Sequence, residues 1–108
     1  RLRNILPIIA EMGPDALDPV EPPPQGDMAL EEVRRNYGKN LTLFGNIEVS
    51  AIETLEPAAF EKLVAETLRQ VNSVPGKGFV LMPTASPYGR HISANTLRNY
   101  ETLVRLVS

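Results

Sequence analysis

Apolar residues recur at helical spacing in four stretches of the chain. Ile5, Leu6 and Ile9 mark a first helix from about Arg3 to Met12, stopped by Gly13-Pro14. Pro7 fits only within its first turn, where the missing N–H has no partner to lose. Leu30, Val33 and Tyr37 fall three and four apart in a second predicted helix, for which Asp27 is the expected cap, Glu31 and Arg35 stand at i, i+4 pairing distance, and Gly38 is the expected end. The third is the strongest pattern. Pro57 opens it after Glu56, and Phe60, Leu63, Val64, Leu68 and Val71 form its stripe. A last helix begins after Ser93 as N-cap and runs to Val107, with Leu97, Tyr100, Val104 and Val107 assigned to its buried face.

Between the helices lie apolar runs too short for amphipathic helices. They are Asp15 to Glu21, Leu41 to Phe44 before an expected Gly45-Asn46 turn, and Phe79 to Met82 bounded by Pro83. Pro22-Pro23-Pro24 adds a stiff extended loop. The order αβαβαβα predicts an α/β fold with parallel strands joined by right-handed crossovers. Both faces of each run look apolar, as buried parallel strands do. No glycine-rich phosphate loop follows any strand, which removes a dinucleotide-binding unit and favours a partial (β/α)8 TIM barrel. Three strands do not close such a barrel. Lumen-facing apolar side chains and two bare edges then call for further chain or a partner.

Composition narrows the function classes. The 108 residues suit one small domain, and a 43% apolar content suits a packed core. Eleven basic residues against thirteen acidic ones, a net charge of −2, leave no surplus for phosphates, so nucleic acid and anionic membranes are poor partners. The longest apolar run, Ile5 to Ala10, falls far short of the ~20 residues of a bilayer span. A soluble, cytoplasmic protein is the default expectation. With no cysteine there is no disulfide, thiolate nucleophile or thiolate metal site. An opening Arg1 without a signal segment hints at a piece of a longer chain.

Four motifs in order carry a family resemblance. They are Ala16-Leu17-Asp18-Pro19-Val20-Glu21-Pro22-Pro23, then Glu32-Val33-Arg34-Arg35-Asn36-Tyr37-Gly38, then Phe44-Gly45-Asn46-Ile47-Glu48, then the helix start Ser93-Ala94-Asn95-Thr96-Leu97. Together they resemble the C-terminal part of uroporphyrinogen decarboxylase family proteins over nearly the whole chain. The resemblance implies barrel helix five followed by βα units six to eight, with the substrate-binding Arg and Asp residues of the upstream strands lying outside this chain. The family holds cofactor-free decarboxylases and zinc-dependent methyltransferases that act with corrinoid proteins. In the loop after strand eight the former carry a His and the latter a zinc-binding Cys, where this chain has Ser86. A serine hydroxyl is a poor zinc ligand near neutral pH and lacks an ionisable ring.

In a complete barrel, catalysis sits at the carboxyl ends of the strands, which nominates Glu21, Asn46, Glu48, Ser86, Tyr88, Arg90 and His91 for substrate binding. Glu21 suits a substrate contact or a proton, or is an ordinary acid before a proline turn. Asn46 offers an amide to a carboxylate, or tolerates a turn. Arg90 suits bidentate pairing with a carboxylate, yet an arginine in a polar loop is usually solvated. His91, the only histidine, has no neighbours at ligand spacing, so no metal is expected. Ser86 as a hydrolase nucleophile lacks the nucleophile elbow and has its sole base five residues away.

Three readings result. The first is a fragment of a cofactor-free decarboxylase acting on a carboxylate-rich tetrapyrrole or a related small molecule, inactive alone. The second is a fragment of a related corrinoid and zinc methyltransferase. The third is a non-catalytic α/β module that self-associates through its exposed strand edges.

Overall fold

A computed structural model describes residues 1–108. Its regular elements are α1 (Leu6–Glu11), β1 (Ala16–Leu17), α2 (Leu30–Tyr37), β2 (Thr42–Ile47), α3 (Val49–Thr54), α4 (Pro57–Asn72), β3 (Gly78–Pro83) and α5 (Ala94–Val107). The three strands form one parallel sheet in the order β1-β2-β3. This is an α/β fold, with a parallel sheet flanked by helices.

Consecutive strand order has a geometric consequence. When each crossover has the same hand and advances to the next neighbour, all connecting helices fall on one face of the sheet. Burial follows that rule. On β2, Leu43 and Ile47 are fully buried, whereas the alternating Thr42 and Phe44 are only half-buried. On β3, Phe79 and Leu81 pack against the helices, while Val80 between them is exposed.

The helix-covered face holds two apolar clusters. One joins Leu6, Val20, Met28, Leu30, Val33, Leu41, Leu43 and Val71, tying α1, α2 and the end of α4 to β2. The other joins Ile47, Ile52, Phe60, Val64 and Leu103, and it seats α3, α4 and α5 over the ends of β2 and β3. Each fully buried Leu, Ile or Phe stabilises by about 1.5–3 kcal/mol relative to exposure. Phe44, Val80 and Met82 belong to neither cluster, so the second face of the sheet has no layer over it.

Several expectations drawn from the pattern need correction. The Gly45-Asn46 pair is no turn: β2 runs through it, pairing Gly45 with Leu81 and Asn46 with Met82. Gly45 sits at φ +133°, where an L side chain is strained, and a Cβ there would lie 3.1 Å from the Val20 oxygen. Glycine here serves a close approach of two strands. Asp27 does not cap α2, whose N-cap Ala29 has no side-chain bond. Its carboxylate instead accepts from the backbone N–H groups of Leu2 and Arg3, at 2.8 and 3.2 Å. Nor does Glu31 pair with Arg35; the ion pair at this end links Arg3 to Glu32 across the fold.

The last helix is turned away from its expected face. Ser93 does cap it, accepting from the Thr96 N–H at 3.0 Å. Yet α5 buries Thr96, Asn99, Thr102 and Leu103, with Tyr100 partly buried, and exposes Leu97, Val104 and Val107. The side chains Asn95 and Asn99 decide this orientation, because both bond to the carbonyl of Leu55 at the end of the α3 segment. No helix is long and apolar enough to cross a membrane.

Candidate functional site at the carboxyl ends of the strands

The chain leaves β1 through Val20 and Glu21 and enters the proline loop, while β2 leaves through Asn46 and Ile47 into α3. These exits are stitched together. Val20 N–H donates to the Phe44 carbonyl at 2.9 Å, and the Asn46 side-chain amide donates to the Val20 carbonyl at 2.8 Å. Asn46 is buried, so its amide serves first to hold the two strand ends in register. Glu48 is the N-cap residue of α3, and the Ser50 hydroxyl donates to its carboxylate.

Glu21 carries the least satisfied atom at this end. Its Oε2 is buried and has no hydrogen-bond partner. A buried carboxylate oxygen without a donor costs on the order of 1–3 kcal/mol or more, so this acceptor is suited to a donor on a bound molecule. Asn99 Oδ1 is likewise unpartnered, but it lies under α5 between helices.

Beside the strand ends a cavity of about 590 Å3 opens between the proline loop, α3 and α4. Pro22 to Pro24 form one wall, Asn46 and Glu48 the floor side, and Glu66 and Gln70 of α4 the far wall. The Glu66 carboxyl is held down at about 2 by hydrogen bonds from Arg69 first and Gln70 second. It therefore stays an anion at any physiological pH and is no proton donor. Further along, burial first and the nearby Glu53 second push the Tyr100 phenol above its ordinary range.

Of the seven nominated residues, the structure brings Glu21, Asn46 and Glu48 to one corner, where β1 and β2 end. Ser86, Tyr88, Arg90 and His91 follow β3 in an exposed loop, and none of them lines the cavity. No three His, Asp or Glu side chains converge as a metal site would require. Sequence reasoning missed α3, whose six residues are too few for a periodic signal, although Val49 and Ile52 stand three apart. It also missed the asparagine pair on α5, for which the sequence offers no sign beyond two amides four residues apart.

Comparison with protein-family models, with curated proteins and with solved structures found no match.

Proposed function

We propose that the chain forms one wall, βα units six to eight, of a (β/α)8 barrel enzyme resembling the uroporphyrinogen decarboxylases, and that it turns over nothing alone. The observation that carries this reading is the one-sided layering. Consecutive parallel strands with helices on a single face, and Phe44, Val80 and Met82, half-buried or exposed, with no layer over them on the other, are what a barrel wall presents toward its lumen. A doubly wound sheet would instead place helices on both faces.

In that barrel the corner of Glu21, Asn46 and Glu48 is the part of the site this chain contributes, with Ser86, Tyr88, Arg90 and His91 on the neighbouring loop. Glu21 offers its unpartnered oxygen to a donor such as a pyrrole N–H, and Arg90 offers a fork to a substrate carboxylate. The reaction class is decarboxylation of a carboxylate-rich small molecule. A methyltransferase is the weaker reading, since Ser86 replaces the zinc-binding residue of that branch.

The test is the reading frame upstream of Arg1 and the protein it encodes. Four further βα units and the strand of a fifth are expected there, and the joined protein should convert uroporphyrinogen to a product with fewer carboxylates while the 108-residue chain does not. A frame without those strands, or turnover by the short chain, sinks the proposal. A self-associating module is the second reading, favoured by the exposed apolar residues on α1 and α5.

A further inference from the structure

At the opposite end of the sheet, before β3 begins, the α4–β3 loop and the end of α2 enclose a cleft of about 720 Å3. Arg35, Lys39 and Lys77 line it, and no carboxylate does. Directly behind Gly76 lies a fourth cation, Arg34, whose side chain is buried. Its Nε donates to the Val74 carbonyl at 2.6 Å and one terminal nitrogen donates to Gly78 at 3.3 Å, so the guanidinium shapes the loop around it. A Cβ on Gly76 would lie 2.9 Å from the guanidinium carbon and 3.0 Å from the Gly38 oxygen, so a side chain there would crowd the loop that closes over Arg34.

The charge here is not balanced by the protein. Among the four cations only Lys77 has an acidic partner, Asp15, at 3.5 Å and fully exposed. Of the two acids on α2, Glu32 is taken by Arg3 in a two-bond pair, and Glu31 forms no ion pair with these cations. The C-termini of α2 and α4 also end here, and cations at helix ends are often only a response to the two dipoles. Two such ends amount to about one negative charge. With Asp15 counted as a second, about two positive charges remain in a chain whose net charge is −2. The Gly76 N–H, on the rim of the cleft, donates to no acceptor in the protein.

We propose that this cleft binds a dianionic phosphate group, free or as the ester of a small molecule, on Arg35, Lys39, Lys77 and the Gly76 N–H. A surplus of about two charges matches a phosphate dianion, and lysines bind it as point charges without the planar geometry a carboxylate favours. The cleft lies away from the carboxyl ends of the strands, so its ligand does not compete with a substrate there.

Amide NMR of the 108-residue chain at constant ionic strength tests this, with inorganic phosphate, phenyl phosphate and citrate as separate probes. Saturable shifts at Gly76 and Lys77 are expected with half-saturation at about 1 mM or below. The exposed pair Lys39→Gln and Lys77→Gln together should raise it at least about tenfold, with the far-UV spectrum unchanged. Tighter binding of phenyl phosphate identifies the ester as the source, and tighter binding of inorganic phosphate identifies the free ion. Tighter binding of citrate, shifts matched by chloride, or shifts unaltered in the double variant would overturn the proposal.

Discussion

The side-chain amide of Asn99, at the middle of α5, donates to the carbonyl oxygens of both Ile52 and Leu55, at 2.9 and 2.8 Å. Asn99 is completely buried, and its two bonds close the C-terminal end of α3, where the helix leaves carbonyls without intrahelical partners. Together with Asn95, it thereby decides which face of the last helix docks.

Replacing it should expose that dependence. Asn99→Leu keeps the volume but strands the Ile52 carbonyl, while Leu55 retains the Asn95 amide at 2.9 Å. A loss of about 2 kcal/mol is expected. Asn95→Ala should cost under about 1 kcal/mol because Asn99 still serves Leu55. Urea denaturation followed by circular dichroism measures both, and equal losses would contradict this division of labour.

Gly45 should tolerate no side chain. Alanine at φ +133° with its Cβ 3.1 Å from the Val20 oxygen strains the backbone and pushes β1 from β2. A destabilisation of about 2 kcal/mol or more is expected. A melting temperature within a degree or so of the parent protein would count against the close approach.

Acid should loosen the two ends of the helical layer. Arg3 holds the Glu32 carboxyl below its ordinary value by hydrogen bonding, despite some burial. Burial alone would raise Asp27, but the N–H groups of Arg3 and Leu2 prevail and lower it. Glu66 falls from 4.5 to about 2 beside Arg69. Groups lowered on folding bind protons more weakly in the folded state, so their contribution is present above about pH 4.5 and fades as pH falls toward 2. Thermal melts from pH 6 down to 2 should show that decline, and Glu66→Gln should make it shallower. An unchanged pH profile in the variant would remove Glu66 from the account.

The exposed stripe of α5 should make the chain associate. Val104 is 62% exposed and Leu97 54%, and β3 is an edge strand of the sheet; exposed apolar patches and bare strand edges attract further chains. Light scattering on a size-exclusion column should report a mass above the 11.9 kDa of one chain. Leu97→Glu with Val104→Glu should move it toward that value. Unchanged association would shift the contact to the open sheet face or to Ile8 of α1 and Met12 at its C-cap.

Legibility varied with the length and strength of the local signal. The stripe from Phe60 to Val71 read correctly because sixteen residues repeat one period and Pro57 marks the start. Ser93 read correctly because an N-cap is a bond within four residues. Asp27 looked the same and was misread, since its carboxylate is claimed by backbone amides twenty-five residues away. At the candidate site, the rule that strand ends carry function nominates Glu21, Asn46 and Glu48 together with Ser86, Tyr88, Arg90 and His91, and only the first three share a corner. That Asn46 spends its amide on Val20 was not legible, because the strand exits meet only when the sheet forms.

Periodicity and punctuation, both local, determined the alternation of helices and strands and hence a parallel α/β fold. The tertiary structure alone decided that Gly45 continues a strand, that α5 turns polar residues inward and that four cations gather at one end with one acidic partner among them. Each depends on contacts between residues far apart in the chain, where a ladder of hydrogen bonds or a buried carbonyl outweighs the preference of any single residue.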